Sequence, residues 1–231
     1  MKVSRGGGLE SSGATPMRNR TAGGVCCASG SGSLPFDEDD RVFTQASTLP
    51  SADRADSHGR FLAAARALIG RVTGGYGVVV TTGDVGASLK GDLDGAEIVI
   101  GADSDPETTL FLVAHLFGHT VQWNTSPTAR MVGMAMPSDT TAARLDELEA
   151  YEAEACRYSQ TLFHEAGVHD FDQWLADYSA CDRAYLRHFY ATGARREFRG
   201  FWRPGQPLLE PLPIPPFKPR RWRRRGRGIV V

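Results

Sequence analysis

Residues 111–123 form the segment that most constrains how this chain can fold, and their sequence is FLVAHLFGHTVQW. The segment places His115 and His119 four residues apart inside an apolar run, which predicts a largely buried helix. Side chains four residues apart lie on one helical face, so both imidazoles point the same way. Because buried imidazoles need partners, one interpretation is a shared metal ion such as Zn²⁺. The other is a pair of core histidines that hydrogen-bond to the backbone.

The predicted helix has a well-marked beginning. Asp103, Ser104 and Asp105 are candidate N-cap residues, and Pro106 suits the first helical position, where no backbone N–H is needed. One stripe of this helix combines the two histidines with apolar side chains, and its members are Leu112, His115, Leu116, His119 and Trp123. The pattern therefore predicts a helix that turns a single stripe towards the core.

The region before this helix predicts one further helix and a small sheet. Apolar residues recur at helical spacing over residues 54–72, and Gly74 and Gly75 end the run. Three short strands are predicted, at 76–82, near 87–89 and at 96–100. Gly91 and Asp92 supply a turn signal between the last two. Tight connections of this kind predict a three-stranded sheet that is antiparallel or mixed.

A second long helix is predicted over residues 141–165, after a Pro- and Gly-containing connection at 126–140. Steps of 100° per residue place one apolar side on this helix, formed by Leu145, Leu148, Ala155, Cys156, Ser159, Leu162 and Phe163. Glu152 lies in the middle of that side, whereas Glu147 and Glu154 point towards solvent. A carboxylate in such a place must be paired or coordinate a metal. Glu152 is therefore a candidate third ligand, or the partner of an arginine from another element.

The last predicted helix follows the break at Gly167, has Asp170 or Asp172 as its N-cap, and runs to about Thr192. Its predicted buried side consists of Phe171, Trp174, Leu175, Tyr178, Cys181, Tyr185, Leu186 and Phe189. This helix completes the set of elements that we expect in the folded domain.

The histidines in the sequence HEAGVH, which begins at His164, are only superficially similar to a zinc motif. His164 and His169 are five residues apart, which separates them by about 140° around a helix axis. Gly167 also interrupts the helix between them. We therefore do not expect a metal site there.

Charge and composition divide the chain into three parts. Residues 1–55 are rich in Gly, Ser, Thr and Asp and are predicted to be disordered, and residues 56–193 form the predicted domain. Residues 194–231 alternate Pro with apolar and basic residues and predict an extended, disordered tail. The chain has a net charge of −1, but eleven Lys and Arg against two Glu give the tail +9 and leave −10 for the rest.

The basic tail, with its run RRWRRRGR, has three interpretations. It could bind nucleic acid weakly and without sequence specificity through phosphate contacts, with Trp222 stacking on a base or lying at a membrane interface. It could instead be a solvated end that aids solubility or binds the acidic remainder of the chain. A third interpretation is recruitment of a peptide or protein partner.

The predicted compartment is the cytoplasm. The four cysteines show no spacing typical of a disulfide framework or a four-cysteine zinc site. The N-terminus lacks the apolar core of a secretory signal, and no apolar run reaches the length of a membrane span. The composition is that of an ordinary globular protein.

Residues 60–163 resemble the IrrE N-terminal-like (ImmA/IrrE) metallopeptidase domain, a minimal zincin. The likeness rests on Gly91 with the strand Ile98 to Ile100, on the stretch AHLFGH from Ala114 to His119, and on EAEACRYS from Glu152 to Ser159. The resemblance implies an α+β, zincin-like fold in which the small sheet packs on the metal-motif helix. It also implies Zn²⁺ bound by His115, His119 and Glu152.

Two positions depart from the family pattern. Leu116 stands where the family has the catalytic Glu, and Cys156 stands where an Asn or Asp supports the ligand helix. A general base typically contributes about 10²- to 10⁴-fold in rate, and loss of a supporting residue typically weakens metal binding by about 10- to 100-fold. Cys156 itself could be a small buried filler or a replacement ligand.

We therefore expect a degenerate zinc metallopeptidase-like protein that works by binding or regulation, with no catalytic residue at position 116. One alternative is an active zinc hydrolase in which Glu149, or a metal-bound hydroxide alone, replaces the missing base. Another is a metal-free interaction protein that acts through its basic tail.

Overall fold

The computed structural model describes residues 51–85, 90–135 and 141–223. The predicted strand near 87–89 lies outside the described residues, as do residues 1–50 of the predicted N-terminal segment. Over the described ranges the fold is mixed α+β, as the sequence predicts, and it has five α-helices, one more than predicted, and one three-stranded sheet. No helix among these residues has the length and apolar character needed to cross a membrane.

The elements follow one another in an order close to the predicted one. The helices are α1 (Ser51–Tyr76), α2 (Pro106–Thr125), α3 (Pro127–Met134), α4 (Ala142–Glu165) and α5 (Asp172–Thr192). The strands are β1 (Val79–Gly83), β2 (Gly91–Leu93) and β3 (Glu97–Gly101), and a short 3₁₀ helix spans Phe198–Phe201. Helix α1 continues through Gly74 and Gly75 and ends before Gly77, whose φ of 68° is the left-handed conformation that glycine tolerates.

Strand β3 lies at the centre of the sheet. It pairs in parallel with β1 and antiparallel with β2, so the sheet is mixed. The expectation of a turn at Gly91 and Asp92 is wrong, because both residues belong to β2. Gly91 is needed there for close packing, since a Cβ atom at this position would lie 2.7 Å from the Leu116 Cδ1 atom of α2.

Helix α2 lies at the centre of the described elements. The Asp105 carboxylate caps it by accepting a hydrogen bond from the Thr108 N–H at 2.9 Å, and Pro106 is its first residue, as predicted. Every residue from Leu110 to Trp123 is buried. The prediction of a single inward stripe is therefore wrong. The cause is that α1, α4 and the sheet enclose this helix on several sides.

Helix α4 crosses α2 at very short range. A Cβ atom at Gly118 would lie 2.2 Å from the Ala155 carbonyl oxygen, so only glycine permits this approach. Next to the crossing, the Ser159 hydroxyl donates to the Ala114 carbonyl at 2.9 Å. The crossing fixes the two helices that carry the histidines and Glu152.

The structure corrects two local predictions. The connection at 126–140 contains the short helix α3, which Ser126 caps by accepting a hydrogen bond from the Ala129 N–H. Neither predicted acid caps α5. Phe171 occupies its N-cap without a side-chain cap bond, Asp170 pairs with Arg60, and Asp172 contacts His164.

The C-terminal segment of residues 202–223 contains no helix or strand, as its prolines predict. It differs from the expected disordered tail because it packs on the domain. Six of its apolar side chains lie partly buried against the main core: Trp202, Leu209, Leu212, Ile214, Phe217 and Trp222. The neighbouring Phe198 does the same. Phe217 stacks on Tyr76 with ring centroids 5.7 Å apart. Residues 224–231 lie outside the described ranges.

Candidate metal site

The fold brings the three predicted ligands together. The Glu152 Oε2 atom lies 3.1 Å from His115 Nε2 and 3.0 Å from His119 Nε2, and the two Nε2 atoms are 3.0 Å apart. All three residues are buried. Glu152 therefore has the two imidazoles as partners rather than the arginine that was the alternative.

The spacing of these three atoms suits a small divalent cation. A tetrahedral zinc site with metal–nitrogen distances of about 2.0–2.1 Å places its ligand atoms about 3.3 Å apart. The observed 3.0 to 3.1 Å is slightly shorter. Within the described part of the chain, these residues form a buried group that could hold a metal ion.

The orientation of the His119 ring is set by Gln122. The Gln122 amide nitrogen donates to the Tyr151 carbonyl at 2.9 Å and to the Glu154 carboxylate at 2.7 Å. The amide oxygen therefore faces His119 Nδ1, at 2.8 Å, and accepts its proton. Glu154 was expected to point into solvent, but this bond draws it partly into the interior.

This arrangement leaves a lone pair on His119 Nε2 when the ring is neutral. That lone pair faces the Glu152 carboxylate at 3.0 Å. Two electron-rich atoms at this distance in a buried place require a cation or an additional proton between them. The three side chains are thus arranged as a site for positive charge.

The pKa shifts of Glu152 and His115 also indicate that this place favours positive charge. Burial alone would raise the pKa of Glu152, but positive charge on His119 and hydrogen bonds with both imidazoles hold this pKa well below its usual range. Burial alone would lower the pKa of His115, but hydrogen bonds with Cys156 and Glu152 outweigh it and raise this pKa well above the usual value. Without a metal, these directions favour an ionised Glu152 beside a protonated His115.

Cys156 contacts His115 from the side away from the cluster. Its sulfur lies 3.8 Å from His115 Nδ1, whereas His115 Nε2 is the atom that faces Glu152. Phe111 stacks on the same imidazole with ring centroids 5.1 Å apart. Cys156 is therefore a buried neighbour that orients His115 rather than a member of the ligand group.

A cavity of about 40 Å³ opens beside the ligands. A water molecule needs roughly 10–15 Å³ by this measure, so the space holds only a few small groups. Apolar side chains from five elements line much of the wall: Leu93, Phe111, Leu112, Trp123, Val132, Leu148 and Leu186. The cavity is thus a confined and largely apolar space with the ligand cluster in its wall.

Asp182 is, with Gln122, a site residue that the sequence did not predict. It projects from α5 into the cavity wall, is only 9% exposed, and has no hydrogen bond to any of the described residues. Burial, assisted by the charge of Glu152, raises the pKa of its carboxyl to about 7. A signal was present, because Asp182 follows Cys181 on the predicted buried side of α5.

Leu116 and Glu149 do not line this cavity. Leu116 is fully buried and packs against Gly91 of β2. Glu149 forms an ion pair with Arg187 at 2.6 Å, and both side chains are 43% exposed. Glu149 is therefore not placed to replace the general base that is missing at position 116, as one alternative proposed.

The second histidine group is separate from the site, as its spacing predicts. His164 contacts both carboxylate oxygens of Asp172, at 3.0 and 3.1 Å, and lies on the surface side of α4. Its ring is 4.8 Å from that of His169. Neither histidine belongs to the described group that could hold a metal.

Comparison of the chain with protein families, curated proteins and solved structures gives no match. What the site can do therefore follows from its own residues. These are two imidazole nitrogens and a carboxylate oxygen that converge in the interior, with a second buried carboxyl across a small cavity.

Proposed function

We propose that this protein is a zinc-binding, degenerate metallopeptidase-like protein, similar to the IrrE N-terminal-like (ImmA/IrrE) family and zincin-like in fold. His115, His119 and Glu152 would hold the metal. The protein acts as a regulatory or binding module with little or no peptidase activity. The observation that carries the proposal is the His119 Nε2 lone pair, which Gln122 holds against the Glu152 carboxylate.

The donor set favours zinc among the common divalent cations. Two imidazoles and one carboxylate are a frequent protein ligand set for Zn²⁺, whereas Mg²⁺ and Ca²⁺ prefer oxygen ligands. When bound, zinc supplies Lewis acidity and lowers the pKa of coordinated water. The contact of Gln122 with His119 and that of Cys156 with His115 would hold the rings ready for the metal.

The lack of peptidase activity follows from Leu116. This side chain is engaged in packing between α2 and β2 and carries no group that could accept a proton. Losing a general base typically lowers the rate about 10²- to 10⁴-fold. A protein with this site therefore retains binding chemistry more readily than catalysis.

Metal analysis tests the proposal directly. We expect the purified wild-type protein to contain about one zinc ion per chain and the H115A variant to contain at least tenfold less. H169A is the matched control, since it removes an exposed histidine from the other group and should leave the zinc content unchanged. A wild-type protein without stoichiometric metal, or an H115A variant that retains it, would contradict the proposal.

A second candidate function is hydrolysis with Asp182 as the proton acceptor. The specific observation in its favour is a buried carboxyl at the cavity with no described hydrogen bond. Asp182 is not a member of the ligand group, so it stands near the metal ligands without being one of them. Such a carboxylate could take a proton at one of its oxygens during hydrolysis.

Peptide cleavage separates the two candidates. A hydrolase would show cleavage by the wild-type protein that a chelator abolishes. D182N would then lose that cleavage while its zinc content stays equal to wild type. Absence of cleavage by zinc-loaded wild-type protein across a mixed peptide library would remove the hydrolase and leave the binding module.

A further inference from the structure

The last described residues, Arg220 to Arg223, lie in a groove formed by the β2–β3 turn and the C-terminal end of α2. We call these residues the basic clasp. The Trp222 N–H donates to the Asp94 carbonyl at 2.8 Å, and the Arg220 N–H donates to the Asn124 side-chain oxygen at 3.0 Å. The clasp is thus bound through its backbone as well as its side chains, as an extended peptide ligand is.

Three acids line this groove, and all three are buried: Asp92, Asp94 and Glu97 are 5%, 2% and 8% exposed. Arg221 lies 3.1 Å from Glu97 and 3.4 Å from Asp94, and Arg223 forms an ion pair with Asp92. Buried carboxylates need positive partners. The clasp supplies them from 124 to 131 residues further along the chain.

Two of the three acids are oriented by backbone groups outside the clasp. One carboxylate oxygen of Asp94 accepts hydrogen bonds from the backbone N–H groups of Ala96 and Glu97, both at 2.9 Å. Asp92 accepts one from the Leu93 N–H at 2.9 Å. Because backbone N–H groups of β2, β3 and the turn between them fix these two carboxylates, they present a preformed acidic surface to a basic ligand.

A slot for an aromatic ring lies beside the acids. The Arg130 guanidinium stands 3.7 Å from the centre of the Trp222 ring, and the indole N–H donates to Asn124 at 3.2 Å. Gly95, whose φ is 97°, forms the floor of the slot. A Cβ atom at Gly95 would lie 2.4 Å from the Arg220 carbonyl oxygen, so the glycine admits the peptide backbone.

We propose that this groove is a recognition site for basic peptides of the type Arg-Arg-Trp-Arg, and that the chain's own clasp occupies it as an internal competitor. The ligand in trans is a segment of a partner protein with two or three arginines around a tryptophan. The observation that carries the inference is the match of preformed acids, aromatic slot and glycine floor to one short sequence. The inference does not depend on zinc binding, because its contacts involve none of the three ligands.

An internal occupant has a strong advantage over a partner peptide. A tethered segment acts at an effective concentration of roughly millimolar. A partner peptide therefore binds well only when the clasp is weakened or when the peptide is abundant. This relation makes the site self-blocked in the isolated chain.

Peptide binding to full-length variants tests the proposal. The probe is a fluorescent peptide with the sequence of residues 218–223, KPRRWR, measured by anisotropy. We expect the R221S/W222S/R223S variant to bind it at least tenfold more tightly than wild type does. R195S/R196S is the matched control, because it removes two exposed arginines outside the clasp and should bind the probe as weakly as wild type.

Two further variants locate the binding and protect the test against misfolding. Adding D92N/D94N/E97Q to the clasp variant should abolish probe binding if the groove is the site. W222A keeps every arginine, so its buried acids remain neutralised, and it should bind the probe about tenfold more tightly than wild type. Equal binding by wild type and both clasp variants would overturn the proposal, as would binding that persists without the acids.

A measurement on wild type alone completes the design. The Trp222 amide, which is bonded to Asp94, should exchange its hydrogen at least tenfold faster when unlabelled KPRRWR is in large excess. An exchange rate that the peptide leaves unchanged would show that peptide and clasp do not compete. That result would overturn the proposal even if the clasp variants do not fold.

Discussion

The ligand cluster and the basic clasp both neutralise buried carboxylates, but they draw their positive charge from different distances along the chain. In the cluster, Glu152 faces histidines 37 and 33 residues away that two packed helices position. In the clasp, Arg223 reaches Asp92 across 131 residues from a segment without regular structure. The first arrangement is built into the fold, and the second is added to its surface.

This difference determines what each region can bind once its positive charge is removed. Removing positive charge from the cluster leaves three electron-rich atoms fixed by helix packing, which is suited to capturing a metal ion. Removing the clasp leaves the buried acids of β2, β3 and the turn between them, of which Asp92 and Asp94 are held by backbone hydrogen bonds, and these acids are suited to capturing a basic peptide. The cluster therefore depends on the integrity of the core, whereas the clasp can exchange without unfolding the domain.

The largest expected effect is at the crossing of α2 and α4, which positions the ligand cluster of His115, His119 and Glu152 but not the clasp. G118A should lower the free energy of unfolding by about 3 kcal/mol, since its Cβ atom would meet the Ala155 carbonyl at 2.2 Å. It should also reduce zinc binding, because α2 and α4 carry the ligands. Chemical denaturation and metal analysis give the two readouts.

The control for that prediction is G70A in α1. A Cβ atom at Gly70 meets nothing within 4 Å, so the change should stabilise the helix by about 0.5–1 kcal/mol. A G118A variant as stable as wild type, with normal metal content, would show that the two helices can separate at no cost. The cluster would then be less dependent on the core than we argue.

The next prediction concerns Asp182 and pH. The pKa of this carboxyl is raised from its ordinary value of 3.8 to about 7, so the folded state holds the proton more tightly than the unfolded chain. The stability from this group is full below pH 3.8 and is lost as pH rises through 7. In metal-free protein, D182N should therefore raise the free energy of unfolding at pH 8 by a few kcal/mol and change it little at pH 4.

The matched control for Asp182 has a pKa shift of opposite sign. A hydrogen bond from Arg60 lowers the pKa of the exposed Asp170. D170N should thus slightly lower stability at pH 8 instead of raising it. If D182N loses stability at pH 8, then Asp182 has a stabilising partner in the folded state that burial alone does not indicate.

Much of the fold was predictable because its signals are local. Asp105 and Pro106 mark the beginning of α2 through the cap geometry of a single turn. Glu152 was predictable because a carboxylate on an apolar helical face needs a nearby partner. The Gly91 strand was missed because pairing with β3 and packing on Leu116 override its local turn preference.

Other features of the fold and the site could not be predicted, because they depend on which elements pack against one another. Asp182 lies on the buried side of α5, but nothing in its neighbourhood indicates that this side faces the histidines of α2. The full burial of α2 depends on several neighbours at once, whereas periodicity within one helix describes only its own faces. The pairing of Arg221 and Arg223 with the β2–β3 acids was open in the sequence as one interpretation of the tail among several.

A smaller effect tests how the cluster is pre-oriented. Q122A should weaken zinc binding by about 10- to 100-fold, because His119 loses the acceptor that keeps the proton on Nδ1. Q160A removes another buried glutamine, which contacts His164 and Asp172, and should leave zinc affinity unchanged. Competition with a zinc chelator of known affinity measures both. Equal losses in the two variants would mean that Q122A acts through general destabilisation.

The smallest expected effects lie within the clasp and rank its two ion-paired arginines, Arg221 and Arg223. The Arg223 side chain is 9% exposed and its Nε and Nη1 atoms have no hydrogen bond, so its burial offsets part of the attraction to Asp92. R223A should still lower the free energy of unfolding by about 1–2 kcal/mol, because it leaves the buried Asp92 carboxylate without its positive partner. Arg221 is 68% exposed, and R221A should lower the free energy of unfolding by less than about 1 kcal/mol.

A salt series checks this ranking. Raising the salt concentration to 1 M should reduce the R221A effect more than the R223A effect, since solvent ions reach only the exposed ion pairs of Arg221. The opposite order would place the main attachment of the clasp at Glu97 and Asp94 instead of at Asp92.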